Sequence, residues 1–278
     1  MATNADTYWQ SGTHWDVADV SGLGFNTLDG KNYAVVSVET RSGGGPSGGI
    51  PMSWDDSRFA SNTAGSGSTV TNATYDNKDW NDNPSYTSAV PCFVWEGDGT
   101  DVLTMSQCRV DFREGPRIGV GSTPRATLDI DQCFINCVGK TGDHADGLQA
   151  YSPGGQALVD ITNSCLRSYT DAEAVSKYGA GFIGSAGLFW ADNFQGEVRM
   201  TNVLIHGGGR GMAIYADTGT TRISFENVFF VPSPDGWTYF DYDIRATGGT
   251  LIVDKWVTVR AATIVDGVIV PGASLPSP

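Results

Sequence analysis

The densest group of reactive side chains lies within ten positions: Lys140, Asp143, His144, Asp146 and Gln149, most of them in the segment TGDHADGLQ, Thr141–Gln149. Alternate residues of a strand face one side, so a carboxylate, an imidazole and an amide can converge there. One use is β-elimination on a uronic acid. His144 or Lys140 would take the C5 proton, and Arg117 or Arg125 would neutralise the substrate carboxylate and the enolate-like transition state. A second use is glycoside hydrolysis with Asp143 and Asp146 as paired carboxylates. A third is Ca²⁺ held by the same two aspartates; no other metal and no cofactor is called for. The segment also reads as a plain turn, because Gly142-Asp143 and Asp146-Gly147 are turn dipeptides and His144 can bond a backbone carbonyl. Spacing leaves these readings open, along with glycan binding without turnover.

Aromatic residues supply a second hint. Tyr151, Tyr169, Tyr178 and Trp190 lie in or beside the long stretch 167–187. Loops longer than about 12–15 residues are often functional, and these rings could stack on sugar faces beside Gln149. Trp190 reads equally well as core, and Phe189, Phe225, Phe229 and Phe230 read as core. His14 sits among N-terminal loops. His206 precedes Gly207-Gly208-Gly209-Arg210, a tight bend, since a glycine run cradles phosphate only with a helix N-terminus behind it.

The elements that must position these residues recur along the chain. Six segments align: Leu103–Val110, Leu128–Ile135, Val159–Leu166, Val198–Ile205, Ile223–Phe230 and Leu251–Thr258, with starts 25, 31, 39, 25 and 28 residues apart. Each opens with apolar–x–apolar alternation. The fifth position reads Gln107, Gln132, Asn163, Asn202, Asn227, Lys255. This period with strand patterning predicts a β-solenoid. The Asn/Gln column predicts a stacked amide ladder at a sharp turn, a scaffold role rather than a ligand site. Second strands are expected after Gly147, Gly187 and Gly211. Cys108 and Cys133 share a column and read as stacked, buried, reduced thiols; an inter-repeat disulfide would need an unusual side-chain angle.

Residues 1–95 read as an N-terminal cap with long loops (SGGGPSGG, SNTAGSGS) and one strand at Tyr33–Glu39; 96–270 as the solenoid; 271–278 as an extended tail, where prolines halt strand pairing. The whole has 278 residues, 36 glycines and only 17% charged residues. A chain this long buries roughly three quarters of its unfolded surface without needing staples. A net charge of −14 argues against a nucleic-acid partner, whose phosphates need Lys/Arg neutralisation. No apolar run reaches membrane-spanning length. The opening MATNADTYWQ has neither a basic nor an apolar signal region, so the expectation is cytoplasmic or virion assembly, or a mature form with a new Met.

The repeat frame, together with the His144-Ala145-Asp146-Gly147-Leu148-Gln149 run, resembles the right-handed parallel β-helix superfamily that includes pectate lyases, polygalacturonases and phage tailspikes. The resemblance covers roughly residues 96–270. It implies an all-β, single-stranded right-handed parallel β-helix. It implies a polysaccharide or cell-surface glycan as partner and lyase or glycoside hydrolase chemistry. For a tailspike it also implies a homotrimer working outside the cell among other virion proteins. The alternative is a non-catalytic virion structural, decoration or receptor-binding protein. The Arg-x-Pro-x-x-Arg segment of pectate lyases and the polygalacturonase set are absent, so no catalytic set carries over.

Overall fold

A computed structural model describes residues 102–106, 109–112, 114–118, 126–131, 133–137, 139–140, 146–150, 155–168, 182–183, 185–232, 236–265 and 268–278, together with short strands at 27–28, 31–32, 63–64, 69–71, 74–76 and 94–95. The expected strand at 33–39 lies outside the described residues. Among them the chain is all-β, with no helix.

Register reproduces the repeat frame. In the large sheet Leu128 pairs with Leu103 on one side and Val159 on the other, and Val159 pairs with Val198, which pairs with Ile223, all in parallel. These side chains and their neighbours two residues on (Ile130, Ile161, Met200, Phe225) are fully buried. The strand Gly155–Thr162 alternates strictly between buried and half-buried, the period-2 pattern of a sheet with one apolar face. A continuation of the same sheet aligns Ile135, Leu166, Ile205 and Phe230. A second, seven-stranded parallel sheet runs from Phe240–Ala246 back through Arg210–Ala216, Ala186–Trp190 and Leu148–Ala150 to Arg117–Ile118 and beyond. Its apolar side chains Leu148, Leu188, Trp190, Met212 and Ile214 join the first sheet in one core.

The amide ladder is present. Asn163, Asn202 and Asn227 all take left-handed backbone angles (φ 49°, 59° and 54°). Asn227 Nδ2 donates to Asn202 Oδ1 (3.1 Å), Asn202 Nδ2 to Asn163 Oδ1 (3.0 Å), and Asn163 Nδ2 to Asp131 Oδ1 (2.9 Å). Asn tolerates this conformation because its short polar side chain can bond locally. At the next corner Gly147 separates neighbouring repeats: a Cβ there would lie 2.6 Å from the carbonyl oxygen of Gly187. The strands expected after Gly147, Gly187 and Gly211 all form.

Three expectations shift. First, parallel pairing reaches into the region read as a cap: Thr69–Thr71 pairs with Val102–Ser106 and Thr74–Asp76 with Arg109–Phe112. Second, the sixth segment is out of register. Ile223 pairs with Val253, not Leu251, and a bulge then sets Ser224 against Lys255. The residue equivalent to Asn227 is thus Thr258, itself left-handed at φ 54°. Third, Pro271 lies inside a strand, Val268–Ser274, which pairs antiparallel with Thr250–Val265. It is tolerated because this strand is an edge. The tail then crosses the last repeat: Leu275 N donates to Val259 O (2.9 Å), Trp256 Nε1 to Leu275 O (3.0 Å) and Tyr242 Oη to Pro276 O (2.7 Å).

Candidate functional site

His144, Asp143, Arg125, Tyr151, Tyr169 and Tyr178 lie outside the described residues. Lys140 belongs to the strand Gly139–Lys140, which pairs antiparallel with Phe182–Ile183. The four remaining candidates are tied into the scaffold. Asp146 is 1% exposed, and its Oδ1 accepts the backbone N–H of Ala186 (3.0 Å) while its carbonyl accepts that of Gly115 (2.9 Å). A buried carboxylate bonded to the backbone of the next repeat is not presented to a polymer in solvent. Gln149 is equally buried, and its Oε1 has no hydrogen-bond partner among the described residues. Arg117 forms a two-pronged ion pair with buried Glu114, Nε to Oε1 at 2.9 Å and Nη2 to Oε2 at 2.7 Å. Its fork is occupied by a protein carboxylate, so it is not the open cation expected for a substrate acid. Trp190 has no exposed surface; its ring meets Phe194 edge-on at 4.8 Å and its Nε1 donates to Thr221 Oγ1 (3.4 Å). It belongs to the core and cannot stack on a sugar from outside. Phe189 moves the other way: it is half-buried and meets Tyr215 edge-on at 6.2 Å.

A buried polar corner surrounds these residues. Arg167 and His206 are register partners on adjacent strands, 1% and 2% exposed, and Arg167 Nε donates to His206 Nδ1 at 3.1 Å. Burial, and then the Arg167 charge, hold His206 well below the usual histidine range. Burial pushes the Cys137 thiol well up, opposed by a hydrogen bond with Ser168, and Asp146 and Glu114 push it further. Cys133, Cys137 and Cys165 are buried free thiols, and Cys133 Sγ bonds the carbonyls of Met105 (3.4 Å) and Asp131 (3.3 Å). Inert thiols of this kind pack as small apolar groups; Cys108 lies outside the described residues.

The solvent-facing side of the large sheet carries a different array. Asp129 and Asp160 are direct register partners, and Asp160 in turn pairs with Arg199. Arg199 Nη1 stands 3.9 Å from Asp160 Oδ2, and its Nε donates to Glu197 Oε1 at 2.5 Å. Farther along, Arg222 pairs with Asp254 and Lys255 with Glu226. Partial burial, then Asp160 and Asp131, raise the carboxyl of Asp129 above the usual range. Asp160 is raised by partial burial and by Glu197, with Arg199 opposing. Adjacent strands lie about 4.8 Å apart, close to the ~5–5.5 Å between the two carboxyls of a retaining glycosidase. Both carboxyls are raised, but only Asp160 has an arginine opposing the shift, and an asymmetry of this kind is what acid–base chemistry uses.

Neither aspartate stood out as a site in the sequence, yet both occupy the second position of their aligned segments. That column reads Thr104, Asp129, Asp160, Arg199, Ser224. The signal was a carboxylate repeated at one outward position, overshadowed by the histidine-bearing segment. Among the described residues no group of three or more His, Cys, Asp or Glu side chains could hold a metal ion, and no helix is long and apolar enough to cross a membrane. Comparison with protein families, curated proteins and solved structures finds no match to this chain.

Proposed function

We propose that the chain is a glycan-active parallel β-helix protein that hydrolyses a polysaccharide lying along the outer face of its large sheet, as a tailspike-like virion component would. In this reading the strand, asparagine turn, strand, glycine corner and strand of each repeat wind into one right-handed solenoid. The observation that carries the chemistry is the in-register pair Asp129 and Asp160. Asp129, its carboxyl raised by partial burial and by the neighbouring carboxylates of Asp160 and Asp131, is the general acid, giving its proton to the glycosidic oxygen as the C1–O bond breaks. Asp160, beside Arg199, attacks C1 and forms a glycosyl ester. Asp129 then takes a proton from the water that displaces Asp160, restoring both groups.

The test is release of reducing ends from a panel of neutral and acidic polysaccharides, with absorbance of unsaturated ends followed in parallel. Asp129→Asn and Asp160→Asn are each expected to lower turnover by about 10²–10⁴-fold while leaving folding intact. Turnover that survives both substitutions but is lost in His144→Ala would return the chemistry to the TGDHADGLQ segment. The burial of Asp146 and Gln149 favours a second reading, a non-catalytic receptor-binding or decoration protein. No product from any polysaccharide, with retained binding to cells or particles, would establish it.

A further inference from the structure

We propose that the Arg167–His206 pair is an acid-sensitive latch, closed at neutral pH and released on acidification, that holds the corner where the large sheet passes into the seven-stranded sheet. The inference is independent of any activity on glycans. Arg167 can only donate, so the 3.1 Å contact from its Nε requires His206 Nδ1 to be an acceptor, without a proton. The single imidazole proton therefore sits on Nε2, which is buried and has no hydrogen-bond partner among the described residues. A pair chosen only for stability would not leave a buried donor unmatched, since such a group costs about 1–3 kcal/mol.

Protonation reverses the contact. A proton arriving at Nδ1 places an N–H against the N–H of Arg167 and sets two cations side by side with almost no exposure to water. Among the described residues, the groups in register with His206 bring no carboxylate. On the large sheet the next repeat places buried Val231 in register with His206. From the preceding strand the group facing it is Arg167 itself. The carboxylates of Asp146 and Glu114, together with Arg167, act on Cys137, whereas the charge that acts on His206 is Arg167. Ser168 and Ser185 bring only a hydroxyl and a backbone amide, bonded to each other at 2.9 Å.

The position makes the event consequential. Gly207 and Gly208 follow at once with left-handed angles of 70° and 86°, turning the chain toward the strand Arg210–Ala216. A Cβ on Gly208 would lie 2.5 Å from the Ser185 carbonyl, so the bend has no slack. Tyr239 N bonds Gly209 O at 2.7 Å just beyond it. Displacing His206 therefore strains the bend and loosens two successive repeats together.

Hydrogen exchange of backbone amides in 165–168 and 204–210, corrected for the intrinsic pH dependence, tests the latch between about pH 7.5 and about pH 5. Below the ordinary histidine value of 6.5, the opening constant of these segments is expected to rise about tenfold per pH unit in the unmodified protein. His206→Asn keeps an acceptor for Arg167 but cannot titrate, and should remove that slope. Parallel slopes in protein and variant would overturn the proposal. Should the variant not fold, an NMR titration of the unmodified protein decides. The His206 ring is expected to stay neutral, with its proton on Nε2, until the segments open. A free titration near 6.5 without loss of protection would overturn the latch.

Discussion

Two kinds of bend, one at the asparagines and one at Gly147 and its counterparts, are built on opposite principles. At the first, identical neutral amides stack from Asn163 through Asn202 to Asn227, each satisfying the next, and Asn163 donates to the Asp131 carboxylate at the end of the row. At the second, the side chains differ at every level: Glu114 with Arg117, Asp146 with the Ala186 amide, Arg167 with His206. A repeated neutral group solves the turn once and reuses the answer. Buried ions must be matched individually. The first bend is a scaffold device that tolerates extension; the second is where the molecule becomes particular.

Three substitutions sharpen this contrast. The largest loss should come from the middle of the ladder. Asn202→Ala removes one donated and one accepted bond, about 1 kcal/mol each, and puts alanine at φ 59°, a further cost of about 1 kcal/mol. Urea unfolding should show a loss of about 3 kcal/mol, and Asn202→Gly should recover the conformational part. An equal loss for both would mean that backbone strain is not at issue. At the second bend, Asp146→Ala strands the buried Ala186 amide and should cost about 2 kcal/mol. A loss below about 0.5 kcal/mol would show that the charged bend is as forgiving as solvent-exposed surface. The smallest effect has the opposite sign. Thr258 is a β-branched residue held at φ 54° where earlier repeats carry asparagine. Thr258→Asn should relieve that strain and give Asn227 Oδ1 a new donor, raising stability by about 1 kcal/mol. No gain would mean that the ladder ends at Asn227 for a reason other than residue choice.

The ladder was legible because its residues repeat at one position and because asparagine has few other reasons to recur there. The sixth repeat was misread for a physical reason. Leu251 and Val253 are both apolar, so alternation alone fits two registers, and the bulge beyond Ile223 adds a residue that no pattern announces. Arg167 was passed over and His206 was read only as the start of a tight bend, because both follow directly after the last residue of their eight-residue segments. A frame cut where the apolar pattern fades excludes the place where buried charge begins. Asp146 and Trp190 were found, but exposure is not written in residue type. A carboxylate near a turn and an indole beside a long loop suggest solvent, and only the three-dimensional neighbours show that both are covered.

The reversal at Val268–Ser274 bears on how such a molecule avoids becoming a fibre. Parallel stacks lengthen by accepting another strand of the same sense, and a bare final strand is an invitation to a neighbouring molecule. Here the approaching strand would meet a partner running the wrong way, interrupted by Pro271 and followed by Leu275 laid against Trp256. The short hairpin covers the Arg260–Val265 stretch of the last described parallel strand with a partner of the opposite sense.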